Sequence, residues 1–326
     1  MRALICHKIT EDLSGVEVRE VPTPEPGPGE VLIQVRATSV NFPDILICQN
    51  KYQLKLEPPF TPGMDLAGEV AAVGEGVSDF KPGDAVAGGA RFGGFAEYAL
   101  ATADGLQPKP EAMSFAEAAA YPAAYLTAYV ALVRRGTLQA GETLLVHGAS
   151  GGVGLAAVDV GKLLGAHVIA TGANDEKLAR VVDYGADHAL NVTQGFKDRV
   201  KALTGGRGAD VIYDPVGGDV FDESVRCIAF NGRLLVIGFT SGRIAEVPTN
   251  MPLIKGFSVV GVRAGEYGRR FPDKGRENVQ AIWEWARQGK TRPRVHAELP
   301  LERALDGFRM LQNREVVGKV IVSPDL

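Results

Sequence analysis

The run His147-Gly148-Ala149-Ser150-Gly151-Gly152-Val153-Gly154 constrains this chain more than any other segment. It follows the apolar, strand-like Leu144-Leu145-Val146 and opens a stretch of helical period over residues 152–164. In that strand-turn-helix context, Gly151 lets backbone approach a pyrophosphate and Gly154 lets the helix pack closely against the strand. Backbone N–H groups around Ser150, Gly151, Gly152 and Val153 would then supply donors, and the positive end of the helix dipole, to an anion. Ala149 stands where the common G-x-G-x-x-G pattern has its first glycine, so the assignment to a dinucleotide rests on context as well as on the glycines.

That context repeats. Val168-Ile-Ala170, Asp210-Val-Ile-Tyr-Asp214, Arg233-Leu-Leu-Val-Ile237 and Phe257-Ser-Val-Val260 are strand-like runs separated by amphipathic stretches. Such βα alternation predicts an α/β fold with a doubly wound parallel sheet. The first 125 residues differ: Val31, Ile33 and Val35 alternate with more polar neighbours, and short strand-like runs over 68–74 and 83–88 lie between glycine turns. These features suggest a small β barrel or sandwich. The expected organisation is therefore a β-rich domain over 1–125 and 263–326, with a dinucleotide-binding domain over 126–262. At 326 residues, two cores are the first expectation in any case.

The end of the second strand bears on which dinucleotide is bound. NAD-specific folds place Asp or Glu there, roughly 20 residues past the glycines, to bond the ribose 2′-hydroxyl. Here the strand closes on Gly172, which leaves room and backbone donors for a 2′-phosphate, with Asn174 nearby and Lys177 one helical turn in. NADPH is expected over NADH. Asp175 and Glu176 are matched to the start of a helix.

Composition narrows the class. A net charge of −4 with 35 Lys and Arg gives no general reason to expect nucleic acid. Hydrophobic residues at 45% exclude a disordered chain. Three cysteines do not make a disulfide framework, and with no signal-like start or membrane-length apolar run the expectation is a cytoplasmic protein. The five histidines are scattered without metal-ligand spacing.

Taken in order, a longer set of motifs carries a family resemblance. They include Asn41-Phe-Pro-Asp44, Pro62-Gly-Met-Asp-Leu-Ala-Gly68, Pro122-Ala-Ala-Tyr-Leu-Thr-Ala-Tyr129, Gly148–Gly154, Asp214-Pro-Val-Gly-Gly218, Gly232–Gly238, Asn250–Lys255 and Gly318-Lys319. The chain resembles the zinc-independent quinone oxidoreductases of the medium-chain dehydrogenase/reductase superfamily, over nearly its whole length. The resemblance implies a chaperonin-10-like (GroES-like) catalytic domain, a Rossmann domain and a homodimer. It aligns Asn41, Met64 and Ala123 with the Cys, His and Cys ligands of zinc relatives; none supplies a thiolate or imidazole, so no metal is expected.

Without a Lewis acid, hydride delivery to an electron-poor acceptor is the more natural reaction. The resemblance sets Asn41–Asp44 beside the acceptor, with the Asn41 amide as a hydrogen-bond donor and Tyr52 as a donor or stacking surface. It also implies cofactor contacts from Thr127, Tyr129, Val216, Gly238, Phe239 and Thr240, and basic positions near cofactor phosphates at Arg314 and Lys319. Relatives often carry a pocket tyrosine after Asp44, and another aromatic near the 2′-phosphate; this chain has Ile45-Leu46 and Val192 at those places. The reading is an NADPH-dependent quinone reductase. The alternatives are a reductase of enones, enals or enoyl thioesters, and a low-turnover NADPH-binding protein of the crystallin-like or RNA-associated kind.

Overall fold

Parallel strands buried on both faces must be apolar throughout, and Thr143-Leu-Leu-Val146 is one such strand, buried at all its positions. The computed structural model describes residues 1–326. In chain order the first elements are β1 (Arg2–Cys6), β2 (Val16–Glu20), β3 (Glu30–Ser39), α1 (Phe42–Cys48), β4 (Asp65–Val73), β5 (Ala85–Gly89), β6 (Tyr98–Thr102), β7 (Leu106–Pro108) and α2 (Phe115–Ala120). The middle holds α3 (Pro122–Tyr129), β8 (Thr143–Val146), α4 (Gly152–Leu163), β9 (His167–Gly172), α5 (Asp175–Tyr184), β10 (His188–Asn191), α6 (Lys197–Leu203), β11 (Ala209–Asp214) and α7 (Gly218–Cys227). There follow β12 (Ile228–Val236), α8 (Asn250–Lys255), β13 (Ser258–Gly261), α9 (Ala264–Arg270), α10 (Pro272–Arg287), β14 (Val295–Pro300), α11 (Ala304–Gln312) and β15 (Lys319–Ser323).

The chain divides into a unit of Met1–Ala123 with Pro293–Leu326 and a unit of Ala124–Arg292. The first is built on a strongly hydrogen-bonded sheet in the order β14-β15-β3-β4-β5-β7, with β6 also pairing β3. The alternating residues Val31, Ile33 and Val35 of β3 are fully buried, with Leu66, Val70 and Val86 in the same cluster. A second cluster gathers β1, α1, α11 and β15 around Phe95 and Phe308, whose rings meet edge-on at 5.4 Å. Two helices of this unit are fixed by local chemistry. Ser114 and Glu117 cap α2 reciprocally at 3.1 and 2.9 Å, and at the start of α1 the Asp44 carboxylate accepts from the Asn41 N–H at 2.8 Å.

The second unit is a six-stranded sheet, parallel throughout, in the order β10-β9-β8-β11-β12-β13. Numbered within the unit this is 3-2-1-4-5-6, the Rossmann order, whose direction of winding reverses between β8 and β11. The fold is thus α/β: the first unit is a β-rich domain and the second a Rossmann-type domain.

The unit's far end lies at Arg292, not at 262 as the sequence suggests. The extra segment, α9 and α10, is polar on its outer face and reads as a tail, yet it packs inside this unit. The Tyr129 and Trp285 rings meet at a tilt, 5.2 Å between centroids, and Arg134 donates to Asn278 at 2.7 Å. Arg134 lies in the π-helical segment Val130–Arg135 that follows α3.

Removing the Phe308 ring, which is fully buried, leaves a cavity beside Phe95. Phe308→Ala is expected to cost about 3–5 kcal/mol, read as a lower midpoint in thermal or denaturant unfolding.

Candidate functional site

In an open parallel sheet, ligands bind beyond the carboxyl ends of the strands where the winding reverses. Here that is the space past β8 and β11 in the Ala124–Arg292 unit. The turn after β8 is shaped by glycines: Gly148 has a φ of +56°, and a Cβ on Gly154 would stand 2.3 Å from the Gly148 carbonyl oxygen. Helix α4 therefore reaches the turn only because residue 154 has no side chain. The cap residue Gly151 makes no side-chain bond to the helix, so the first N–H groups of α4 face outward without a cap from the chain.

The neighbouring turn after β11 is held by Asp214. Its Oδ1 accepts from the Val216 and Gly217 N–H groups at 2.8 and 2.9 Å. Burial raises its pKa, and those two bonds oppose the rise. The two turns are neighbours: a Cβ on Gly148 would come within 3.3 Å of the Val216 side chain. The chain after β12 joins them, since Thr240 N and Oγ1 both bond to the Pro215 carbonyl at 3.1 Å. Phe239 lies against Gly217. Ser150–Val153, Val216, Gly238, Phe239 and Thr240 are accordingly gathered at one end of the sheet.

His147 ties this end together, although in the sequence it is one of five scattered histidines. It is fully buried, with Nδ1 2.7 Å from Thr171 Oγ1 and Nε2 2.7 Å from Ser224 Oγ. The Ser224 hydroxyl donates to the Val220 carbonyl at 2.7 Å, so it accepts from Nε2–H, and Thr171 donates to Nδ1. Burial pushes the imidazole down to about 3, so it stays neutral. It links the end of β8 to β9 and α7. A lone histidine before a glycine turn carries no sequence signal for this.

Gly172 ends β9, with Asn191 of β10 opposite. Asn174 caps α5, its Oδ1 accepting from the Lys177 N–H at 2.9 Å. Lys177 is half-buried in the first turn of α5. Tyr129 and Thr127 lie on α3; Tyr129 is engaged by Trp285 and by the Arg134 guanidinium, 5.8 Å above its ring.

The other unit carries a buried polar cluster. Ser39 and Asp65 are directly opposed where β3 and β4 pair, and β15 begins beside them with Lys319. Asn41 Nδ2 donates to Asp65 Oδ2 at 2.9 Å, and Lys319 Nζ donates to Asn41 Oδ1 at 2.6 Å and to the Val40 carbonyl at 3.3 Å. Ser39 Oγ and the Ala123 N–H also donate to Asp65, at 3.1 and 3.2 Å.

Two expectations are revised by this cluster. The Asn41 amide is turned inward, with its N–H groups on Asp65 and on the Ser39 carbonyl at 3.3 Å, instead of being held out as a donor. Lys319, expected near phosphates, is 6% exposed because the pairing of β15 with β3 directs it into the cluster. Arg314 is exposed after α11 with a φ of 58°, and Tyr52 packs partly buried against the apolar cluster around α1. No group of three His, Cys, Asp or Glu side chains is placed to hold a metal ion. Asn41, Met64 and Ala123 offer an amide already bonded, a thioether and a methyl group. No helix is long and apolar enough to cross a membrane.

Comparison with known proteins agrees with both units. Residues 27–111 match the alcohol dehydrogenase GroES-like domain, and residues 152–285 match the family described as zinc-binding dehydrogenase. Quinone oxidoreductase-like protein 2 of Mus musculus is 39% identical over 99% of this chain and 92% of its own length. The quinone oxidoreductase of Homo sapiens is 31% identical over 93% and 92%. Among solved structures, a mycobacterial protein complexed with NADPH superposes with a TM-score of 0.91 at 29% identity, covering 99% of this chain and 100% of that one. The CurK enoyl reductase superposes with a TM-score of 0.90 at 27% identity, covering 99% of each chain.

Gly154→Ala places a methyl group against backbone that cannot give way. It is expected to abolish pyridine-nucleotide binding in a fluorescence titration while the far-ultraviolet circular dichroism of the fold persists.

Proposed function

Because the chain belongs to the quinone oxidoreductase family of the medium-chain dehydrogenase/reductase superfamily and is an oxidoreductase, we propose that it reduces quinones with NADPH and without zinc. The observation that carries the cofactor reading is the glycine-shaped turn between Gly148 and Gly154, with the Asp214 turn beside it. Uncapped N–H groups of α4 suit a pyrophosphate. Gly172, with Asn174 and Lys177 beyond it, suits a 2′-phosphate because no carboxylate ends β9. When bound, the reduced nicotinamide supplies the hydride. The chain's own residues bind and orient the dinucleotide, and His147 keeps the turn rigid in one protonation state.

The metal-free reading is supported by charge as well as by donor type. The Lys319 ammonium, 4.0 Å from Asp65 and bonded to Asn41, would repel a divalent cation at that point. Zinc sites require thiolate, imidazole or free carboxylate ligands. An acceptor already short of electrons spreads the incoming charge onto a carbonyl oxygen and does not need a Lewis acid. Likeness to an enoyl reductase makes unsaturated carbonyl compounds the second acceptor class.

The proposed working form is a cytoplasmic homodimer. Strand β13 is an unpaired edge, and Phe230, Leu253, Ile254 and Val259 near it are exposed. No nucleic-acid partner is proposed: Arg269 and Arg270 pair with Glu266, and Lys274 with Glu277.

Steady-state rates with a naphthoquinone, an enone and an enoyl thioester at matched concentrations, chelator present, test the reaction. The quinone is expected to be reduced fastest; loss of activity restored specifically by zinc would overturn the metal-free reading. Gly172→Asp tests the cofactor. A Cβ there meets only the flexible Leu178 side chain at 3.3 Å, so the variant should fold. Its carboxylate would repel a 2′-phosphate and accept from a ribose diol, and the ratio of kcat/KM for NADPH over NADH is expected to fall by at least roughly tenfold.

A further inference from the structure

The polar cluster of the first unit has an imbalance of charge. Asp44, Asp65 and Lys319 are 0%, 2% and 6% exposed, and two carboxylates face one ammonium. In a low-dielectric interior the carboxylate left without a counter-charge takes a proton unless hydrogen bonds hold it ionised. Asp65 is well supplied: it accepts from Ser39, Asn41 and the Ala123 N–H, with the Lys319 ammonium at 4.0 Å. Asp44 has only the backbone N–H groups of Asn41 and Gly63, at 2.8 and 3.2 Å, and no cation in contact.

We infer that Asp44 is a reversible proton-binding site, filled in mildly acidic solution and emptied in alkaline solution, whose affinity Lys319 lowers and Asp65 raises. Burial pushes the Asp44 carboxyl up to about 7; the Asp65 charge adds to the rise and the Lys319 charge opposes it. Burial also raises Asp65 and lowers Lys319. The other ionisable groups around α1 do not supply the missing charge. Cys48, one turn further along α1, and Cys6 of β1 are thiols held neutral by burial. On α11, which packs against α1, Asp306 and Arg309 pair with each other at 3.2 Å at the surface.

The effect on folding has a definite sign. Folded Asp44 holds its proton more tightly than an unfolded aspartate, at about 7 against about 3.9. Its stabilising contribution is complete below the unfolded value and is lost as pH rises through about 7.

Infrared titration of the protein alone, with neither nucleotide nor acceptor, tests the inference apart from the quinone-reductase reading. A carbonyl-stretch band of a protonated carboxyl is expected to disappear as pH rises through neutrality, and Asp44→Asn is expected to remove it. Lys319→Met should move its midpoint up by at least one pH unit, Asp65→Asn should move it down, and Lys319→Arg should leave it in place. Should Asp44→Asn fail to fold, the Lys319→Met and Lys319→Arg pair decides. A neutral-range band that survives Asp44→Asn, or a midpoint indifferent to Lys319→Met, overturns the assignment; a titration that behaves as described while no quinone is reduced leaves it standing and removes only the acceptor reading.

Discussion

The closeness of helix α4 to the turn that precedes it is the constraint on which the dinucleotide-binding unit depends. A Cβ at Gly154 would stand 2.3 Å from the Gly148 oxygen, and one at Gly161 would stand 2.5 Å from the Leu144 side chain. Two absent side chains therefore set how near the helix comes to β8, and through that where its N-terminal N–H groups point. Everything else at this end of the sheet supports that approach. Asp214 fixes the facing turn through two backbone N–H groups, and His147 joins β8 to β9 and α7.

The first unit solves a different problem. It brings together residues from the end of β3, the start of α1, the start of β4 and the start of β15, and it does so with charges that water does not reach. Asp65 accepts from three donors, which fixes the strand ends and the start of α1 relative to one another. Buried charge groups of this kind add little net stability compared with an apolar core.

What could be read from the sequence follows the range of the interactions involved. The glycine turn, the strand alternation of Val31, Ile33 and Val35, and the βα repeats are written in neighbouring residues, and they give both fold types. The direction of a side chain inside the packed β-rich unit is not. Lys319 meets Asn41 across 278 positions of chain, and only the pairing of β15 with β3 decides that its ammonium turns inward. The same limit hid the role of His147, whose partners Thr171 and Ser224 lie 24 and 77 residues away. The far boundary of the Rossmann unit is not legible in the sequence because α10 is polar over most of its surface, with only Asn278, Ile282, Trp283 and Ala286 buried.

The imidazole behind the glycine turn has both nitrogens engaged and gains a proton only in strong acid, near 3. Over the range in which cells operate, the joint that His147 makes between β8, β9 and α7 consequently keeps a single charge state.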